Sequence, residues 1–368
     1  MVKLLLDGLC QRGQEHDLEL IHVDAKLSSN LESIGKIRWL KLFLVLKYCA
    51  QVYFHRFAHG VGVFYYVPAP GARAPLYRDW IVMFLCRPLF KKIVFHWHAV
   101  GLGKWLNESA KPWEKKITRR LLGNVDLGIV LSEFGRSDAM QLAPRRIVIV
   151  PNGIPDPCPN FEEQLWPQRE RRFQNRREGI QTGFNILFIG ACSAAKGLFA
   201  TVDGVVLLNQ RLSARKTPIA VQLIVAGDFV SREERELFER RITQSDTERL
   251  VIYKGHVGGG AKQQLFSDAD CLCFPTCYAA EGQPVTIIEA LAFGLPIVAT
   301  RWRGIPELLA GSEGRLIDGQ EPGAVADALE ATMKIGISRN NRGVFLERYC
   351  LNKYLEGLKQ ALTLALNR

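Results

Sequence analysis

The sequence predicts an α/β protein of two Rossmann-like domains, each built on a parallel, doubly wound sheet. Short apolar runs alternate with longer amphipathic segments along the 368 residues, which is the pattern of strand–helix–strand units. A turn-forming stretch at residues 151–159, Pro-Asn-Gly-Ile-Pro-Asp-Pro-Cys-Pro, separates two such series. Two domains are therefore expected to face each other across a cleft, with ligands at the carboxyl ends of the strands.

The composition is that of a globular protein with a full core, because 48% of the residues are hydrophobic and 23% are charged. No apolar run reaches the roughly 20 residues that span a bilayer, and no signal peptide is evident. Nine cysteines without regular spacing favour reduced thiols and a cytoplasmic location. The net charge of +11 favours anionic partners: a phosphorylated substrate, an anionic membrane surface or nucleic acid.

The first domain is predicted to span residues 1–155. Its helical segments place apolar residues three and four positions apart, and its strand segments are short apolar runs. The predicted strands cover residues 18–24, 61–67, 92–98, 127–131 and 147–150, and the predicted helices cover residues 1–13, 31–52 and 111–122.

A basic segment and a second α/β domain follow. Residues 156–183 contain the run Gln-Arg-Glu-Arg-Arg-Phe-Gln-Asn-Arg-Arg, which we interpret as a mobile, solvated linker, with phosphate or membrane contact as the alternative. The second domain covers residues 184–340, and a C-terminal helix within 341–368 is expected to pack across the junction. The predicted strands cover 185–190, 221–226, 250–253, 271–274 and 297–299, and the last predicted helices cover 322–335 and 343–366.

The most informative stretch is 281–300, Glu-Gly-Gln-Pro-Val-Thr-Ile-Ile-Glu followed by Ala-Leu-Ala-Phe-Gly-Leu-Pro-Ile-Val-Ala-Thr. Glu281 precedes a predicted helix and Glu289 lies inside it, while Pro284 suits the first helical position. The free N–H groups of residues 282–286 at the positive helix end form a site for an anion such as phosphate. Carboxylates do not bind phosphate, so both glutamates suit hydroxyl groups nearby. Phosphate and hydroxyl groups together indicate a sugar nucleotide.

Two residues elsewhere are candidates for the same site. Lys196 lies between the first strand of the second domain and a helix, where its charge would add to the anion site; an ordinary solvated lysine is the alternative. His98 ends a strand of the first domain, where open α/β sheets bind ligands. His96 points to the same face, so a metal pair and buried, hydrogen-bonded histidines are the alternatives for these two residues.

The other metal-like patterns are better explained as structure. Asp268 and Asp270 resemble paired carboxylates, but they come just before a strand and are interpreted as a cap and a turn. Cys271, Cys273 and Cys277 lack a second ligand pair at zinc spacing and are interpreted as core thiols.

The charge leaves two macromolecular partners to consider. Residues 39–48 combine apolar and basic side chains; a buried helix with a few exposed lysines is the first interpretation, and a helix lying on an anionic membrane is the alternative. Nucleic acid is not expected as a partner, because the aromatic residues are not interleaved with the basic runs.

Together these motifs resemble the retaining nucleotide-sugar glycosyltransferases of family 4, which have the GT-B fold of two Rossmann-like domains. The hallmark of that family is a pair of glutamates separated by seven residues, matched by Glu281 and Glu289. Further segments match in the same order, at residues 132–134, 149–154, 188–197, 254–257 and 304–307. The resemblance covers most of the chain from about residue 90 onward and is strongest in the second half.

The resemblance implies a role for each matching residue. Glu281 would hold hydroxyls of the donor sugar, and Glu289 would bind the nucleotide ribose. Lys196 would neutralise the leaving diphosphate, and His98 would contact the transferred sugar from the first domain. The substrate-binding residues that it implies are Gly190, Gly282, Gln283, Pro284, Val285, Glu289 and Val257. The donor would be a nucleotide-diphosphate sugar, the acceptor a glycan or a lipid-linked molecule, and no metal or other cofactor is required.

Two departures from the family pattern bear on activity. The family usually has an arginine directly after the glycine of the phosphate loop, and here that position is Ala191, so one phosphate contact is missing or comes from another residue. Family members also begin with a strand before the first helix, whereas this chain starts inside that helix, so its first domain lacks its first strand or the true start lies upstream.

These departures keep other functions open. A catalytically weak sugar-nucleotide-binding protein of the same fold is the main alternative from another class. An inverting transferase or an epimerase is the alternative within enzymes, and the stereochemistry of the product would distinguish them. An oxidoreductase is not favoured, because no Gly-x-Gly-x-x-Gly follows a first strand.

Overall fold

The structure, a computed structural model, describes residues 20–25, 39–180, 183–244, 249–335 and 338–366. The chain forms two compact units, which are described separately. The first comprises Met1–Gly153, Ala279–Gln283 and Asn352–Arg368, and the second comprises Ile154–Tyr278 and Pro284–Leu351. The chain therefore leaves the second unit after Tyr278 and returns to it at Pro284.

The first unit contains a four-stranded parallel sheet. Its strands are β1 (Val63–Tyr66), β2 (Lys92–Trp97), β3 (Leu127–Val130) and β4 (Ile147–Ile149), and they lie side by side in this order. The central strands β2 and β3 are almost wholly buried, as expected of parallel strands that are covered on both faces. The outer strands β1 and β4 are partly exposed.

Helices connect these strands. Pro112 supplies the fixed φ that suits a first helical position, and Glu114 accepts a hydrogen bond from the Lys111 N–H at 2.7 Å. Glu114 also accepts one from the Tyr77 hydroxyl at 2.6 Å, which ties two of the helices together. The helices are α1 (Trp39–Ala58), α2 (Arg73–Cys86), α3 (Leu102–Glu108), α4 (Pro112–Leu122) and α5 (Glu133–Ala139).

The sequence predicted this unit in part. The strands predicted at 61–67, 92–98, 127–131 and 147–150 are confirmed with slightly shorter bounds. Residues 20–25 have no regular structure. The strand predicted at 18–24 is therefore wrong for residues 20–24, which are the part of it that the structure describes. The helix predicted at 1–13, the part of the helix predicted at 31–52 that precedes residue 39, and the question of a missing first strand lie outside the described residues.

The second unit contains a six-stranded parallel sheet. Its strands are β5 (Gly183–Ile189), β6 (Ala220–Ala226), β7 (Val251–Tyr253), β8 (Cys271–Phe274), β9 (Ile297–Thr300) and β10 (Gly314–Ile317). Their order is β10-β9-β8-β5-β6-β7, so the five predicted strands are confirmed and one edge strand was missed. The order reverses between β5 and β8, which is the topological switch point of a doubly wound sheet.

The helices of the second unit cover both faces of this sheet, as a parallel sheet requires. One of them follows Pro284, which is the capping residue with φ −66° and ψ 119° rather than the first helical residue. The helices are α6 (Trp166–Arg177), α7 (Leu198–Ala214), α8 (Arg232–Gln244), α9 (Gly259–Asp268), α10 (Val285–Ala292), α11 (Ile305–Leu308), α12 (Pro322–Thr332) and α13 (Arg339–Val344).

The basic run predicted as a linker is instead helix α6, and residues 156–183 belong to the second unit. Arg169 is only 1% exposed, and its guanidinium donates to the carbonyl oxygens of Phe293 at 2.5 Å and Ser267 at 3.2 Å, and also to that of Phe266. Arg172 donates to the Asp268 carbonyl oxygen at 3.0 Å. These carbonyls end helices α9 and α10, so the positive charges lie at the negative ends of two helix dipoles.

The last helix, α14 (Leu351–Leu366), belongs to the first unit from residue 352 onward. Its buried face includes Tyr354, Leu358 and Leu362, and a Cβ built on Gly357 would lie 3.1 Å from the Val150 side chain. The cysteines that the structure describes are free thiols, in agreement with the prediction from their spacing. In the described ranges, no helix is both long and apolar enough to cross a membrane.

Candidate active site

Two loops meet at the switch point of the second unit. Residues 190–197 follow β5, and residues 275–278 follow the neighbouring strand β8. The Cys277 N–H donates to the Ala195 carbonyl oxygen at 2.9 Å. A Cβ on Gly197 would lie 2.3 Å from the Pro275 oxygen, and the φ of Gly197 is +85°, so only glycine fits this close approach. The loops therefore form one fixed surface at the carboxyl ends of the central strands.

Side chains from two other elements hold the first of these loops. Gln320 donates to the carbonyl oxygens of Pro275 at 2.7 Å and Ala194 at 3.4 Å, so it connects both loops. The Ala194 N–H donates to the Glu234 carboxylate at 3.1 Å. Neither Gln320 nor Glu234 was singled out from the sequence, because each acts on residues far away along the chain.

Lys196 lies on this surface, directly before the left-handed Gly197 that precedes α7. Its ammonium nitrogen is 4.7 Å from the centre of the Tyr278 ring and 5.6 Å from that of Phe274. These distances allow cation–π attraction, which helps to orient the lysine side chain. The predicted placement of Lys196 near a helix start is therefore confirmed, and Tyr278 is a neighbour that sequence reasoning missed.

Glu289 lies one turn inside α10 and is half of an ion pair. Its Oε1 is 2.7 Å from the Lys262 ammonium on α9, and its carboxylate is 16% exposed. Among the described residues, its Oε2 is buried and has no hydrogen-bond partner. Burial raises the pKa of the Glu289 carboxyl above its ordinary value, and Lys262 opposes that rise. The unsatisfied oxygen is thus an acceptor held ready for a hydroxyl donor.

Gly190 and Val257 lie in loops of the same unit. Gly190 directly follows β5 and has φ +149°. A Cβ on Gly227 would lie 1.8 Å from the Gly190 oxygen, so the chain segments after β5 and β6 are in close contact. Val257 follows β7 and packs partly against the core, two residues before α9, which carries Lys262. Both residues therefore lie in loops that follow strands, where the sequence predicted a ligand.

Glu281, Gly282 and Gln283 belong to the first unit, with His98. A Cβ on Gly282 would lie 2.5 Å from the His98 carbonyl oxygen. Gln283 Oε1 accepts from the Asn152 N–H at 2.6 Å, and Asn152 Nδ2 donates to the Gln283 carbonyl oxygen at 3.3 Å. Glu281 is 7% exposed and Gln283 8%. The segment that carries Glu281 is therefore fixed to the loops that follow β2 and β4.

The two histidines at the end of β2 are buried side by side, with ring centres 4.1 Å apart. His96 Nδ1 makes a short hydrogen bond with the Tyr65 hydroxyl. Burial lowers the pKa of His98 to about 4 and that of His96 well below its ordinary value. Both rings are therefore uncharged at neutral pH, and the Nε2 atom of each is buried without a described hydrogen-bond partner.

In the described ranges, no group of three or more His, Cys, Asp or Glu side chains is placed to hold a metal ion. Asp270 accepts the Asn185 N–H at 2.9 Å, which agrees with its interpretation as a turn residue. Cys271 and Cys273 are wholly buried in the core, as expected.

The candidate residues thus form two groups. The second unit holds Gly190, Lys196, Val257, Pro284, Val285 and Glu289, and the first unit holds His98, Glu281, Gly282 and Gln283. The stretch 281–289, which looked continuous in the sequence, is divided between the units at the peptide bond that joins Gln283 to Pro284. The cleft expected between the two domains stays a prediction.

Comparison with known sequences finds a family match that lies mostly in the second unit. Residues 183–334 match the family described as Glycosyl transferases group 1. The chain is 31% identical over 172 residues to D-inositol 3-phosphate glycosyltransferase of Corynebacterium urealyticum, covering 45% of this chain and 39% of that protein. It is 27% identical over 137 residues to the amylovoran biosynthesis glycosyltransferase AmsK of Erwinia amylovora, covering 36% of this chain and 31% of that protein. The matches therefore span less than half the length of these relatives.

Comparison with solved structures concerns the fold. The structure of HepE from Anabaena in complex with UDP-glucose superposes with a TM-score of 0.64 at 18% sequence identity, covering 89% of this chain and 84% of that one. This likeness extends over both sheets, whereas the family match covers the six-stranded sheet of the second unit and includes residues 279–283 of the first unit. Residues 183–334 thus match the group 1 glycosyl transferases, and the two parallel sheets of the chain have the GT-B fold.

Proposed function

We propose that this protein transfers a sugar from a nucleotide-diphosphate sugar to a glycan or lipid-linked acceptor, with retention of the anomeric configuration. The observation that carries the proposal is the switch-point surface of the second unit, where the Lys196 ammonium lies within cation–π distance of two aromatic rings, beside the start of α7. A cation and a helix start are the groups that a diphosphate requires.

Cleavage of the bond between the anomeric carbon and the diphosphate oxygen leaves an oxocarbenium-like centre and a diphosphate of growing charge. Lys196 and backbone N–H groups at the start of α10 stabilise that charge more strongly in the transition state than in the ground state. No metal ion is needed in this scheme. Turnover that is unchanged after treatment with EDTA would agree with it, and loss of turnover restored by a divalent cation would contradict it.

The hydroxyl groups of the donor are assigned to the carboxylates and to His98. The unsatisfied Oε2 of Glu289 accepts from a ribose hydroxyl, and Glu281 accepts from the donor sugar. Since His98 is uncharged at neutral pH, its imidazole exchanges hydrogen bonds with a sugar hydroxyl without repelling the oxocarbenium-like centre. The acceptor hydroxyl attacks the anomeric carbon from the face from which the diphosphate departs, and its proton passes to the departing diphosphate oxygen.

The first experiment is a screen of UDP-, GDP- and ADP-sugars for thermal stabilisation and for donor hydrolysis. We expect one nucleotide class to raise the melting temperature and to be hydrolysed slowly without acceptor. NMR of the product from that donor should show the anomeric configuration of the donor; the opposite configuration would indicate an inverting enzyme. If no sugar nucleotide stabilises the protein, the proposal is wrong.

Ala191 favours a second candidate, a catalytically weak protein that binds sugar nucleotides. A lost charge-assisted phosphate contact weakens binding of the leaving group by about 1.5–3 kcal/mol. The substitution Ala191→Arg separates the two candidates. If the parent protein is nearly inactive and Ala191→Arg greatly raises the rate of donor hydrolysis, the weak binder is favoured. If the parent is active and the variant is only slightly faster, the transferase is favoured.

We also propose a cytoplasmic location with peripheral contact to an anionic membrane, where a lipid-linked acceptor would be held. The free thiols support the location, because disulfides form in oxidising compartments. The biosynthesis of a polysaccharide or a glycolipid is the process that such an acceptor implies.

A further inference from the structure

Helix α1 of the first unit has apolar side chains on two faces, one buried and one exposed. Val45 and Cys49 are buried in the core. Phe43, Leu46, Phe54 and Phe57 are 67%, 46%, 63% and 73% exposed. Their spacing of three, eight and three positions places them in one stripe along the helix. We call Phe43, Leu46, Phe54, Phe57 and the neighbouring Phe84 the aromatic face.

Phe84 comes from the adjacent helix α2 and is 69% exposed. The two helices are fixed to each other at this point, because the Tyr53 hydroxyl donates to the Leu85 carbonyl oxygen at 2.9 Å. Arg56 donates to the Leu89 carbonyl oxygen at 2.8 Å. The aromatic face is therefore a rigid surface of two packed helices, and exposed apolar surface of this kind marks a site of association.

The charges around the aromatic face are positive. Helix α1 contributes Lys47 and Arg56 and contains no aspartate or glutamate. Phe84 also lines a groove of about 470 Å³ whose other lining residues include Arg87, Lys91, Arg120 and Arg145. The one carboxylate in that lining, Asp126, is paired with Arg145 at 3.1 Å.

We propose that the aromatic face docks the protein on an anionic phospholipid bilayer. Phenyl rings suit the boundary between headgroups and acyl chains, and lysine and arginine suit anionic headgroups. A second copy of this chain suits the face less well, because a two-fold contact would place like cations together, with no carboxylate on α1 to pair with them. The sequence favoured a buried helix with a few exposed lysines; the exposed stripe reverses that preference.

The purpose of membrane docking, which is access to a lipid-linked acceptor, rests on the proposed function. The observations that support the docking surface do not depend on that function. Co-sedimentation with vesicles tests it without any substrate. We expect the purified full chain to bind vesicles of phosphatidylcholine with phosphatidylglycerol, to bind phosphatidylcholine alone weakly, and to be released at about 1 M salt, where surface charges are screened.

The double substitution Phe54→Ser with Phe57→Ser should lower the vesicle partition coefficient roughly tenfold or more, and Lys47→Glu with Lys91→Glu should do the same. Leu237→Ser is the matched control, because Leu237 is 40% exposed on α8 of the second unit and should change nothing. Circular dichroism melts check that each variant is folded.

Three results would overturn the proposal. The first is equal binding to neutral and anionic vesicles, and the second is full binding by the double phenylalanine variant. The third is a dimer seen by light scattering that the phenylalanine substitutions abolish, which would assign the face to a second copy. Calorimetric titration with the preferred nucleoside diphosphate, done without vesicles, reports on the proposed function separately.

Discussion

The two units hold different parts of the candidate site and differ in how they resemble known proteins. The second unit matches a family along residues 183–334 and has a strand order that reverses at its switch point. In the first unit the described strands lie in sequence order, and the site residues are His98 and residues 281–283. Nucleotide recognition and sugar transfer are therefore expected to depend on different residues, which mutations can separate.

The largest effect is expected for Glu281→Gln in the first unit. Because the buried carboxylate is assigned to the sugar, kcat should fall by about 10³-fold, while the affinity for the free nucleoside diphosphate should change little. Initial rates with the preferred donor measure the first quantity, and calorimetry measures the second. Glu313→Gln, at an exposed position in the second unit, is the control. A Glu281→Gln enzyme with unchanged turnover would remove Glu281 from the mechanism.

Lys196→Met in the second unit should lower kcat by about 10²-fold and should also weaken binding of the nucleoside diphosphate. The reason is that its charge acts on the phosphates both before and after bond cleavage. Lys196→Arg should recover part of both losses, and Lys353→Met on α14 is a control at a half-exposed lysine. If Lys196→Met lost turnover but kept full nucleotide affinity, the diphosphate would have to bind elsewhere.

Arg169→Met tests the packing that positions α9 and α10. Its loss leaves the carbonyl oxygens of Phe266 and Phe293 without their guanidinium donor, while that of Ser267 keeps a hydrogen bond from Arg172. The free energy of unfolding should therefore fall by about 3 kcal/mol. Urea unfolding measures this, with the exposed Arg171→Met as the control. Equal stabilities of the two variants would show that Arg169 contributes no more than a surface arginine.

The smallest effect is expected for Lys262→Met. Its ammonium favours the ionised form of Glu289, so its removal should raise the pKa of that carboxyl further and should weaken nucleotide binding roughly tenfold. Because the protonated carboxyl is the weaker acceptor, affinity should begin to fall at a higher pH in the variant than in the parent. Titrations over a range of pH measure this, and Lys262→Arg should behave like the parent. Identical pH profiles for Lys262→Met and the parent would contradict the assignment.

The strands of the second unit were predicted well because they are short apolar runs between clear turn residues. A strand that is buried on both faces of a parallel sheet has this pattern in the sequence. The edge strand Gly314–Ile317 was missed because an edge strand is only partly buried and carries a weaker signal. Helix α2 was missed because its apolar residues are scattered around its circumference. Its buried residues also include Asp79, whose carboxylate accepts hydrogen bonds from the Tyr66 hydroxyl and the Ala69 N–H.

The site was predicted through its local motifs and not through its distant contacts. The helix start at Pro284 and the loop that carries Lys196 are local features. The pairs Lys262–Glu289 and Gln320–Pro275 join residues 27 and 45 positions apart, which no spacing rule connects. The arginines of α6 suggested a linker because charged runs are usually solvated, and only the tertiary fold supplies the carbonyl groups that let Arg169 be buried.

The central claim is that the second unit binds the nucleotide while residues of the first unit act on the sugar. Its most direct test is calorimetric titration of the preferred nucleoside diphosphate into the parent, Glu281→Gln and Lys196→Met proteins. The account predicts that Glu281→Gln binds the nucleotide as tightly as the parent, and that Lys196→Met binds it markedly more weakly. The reverse order of affinities would contradict it.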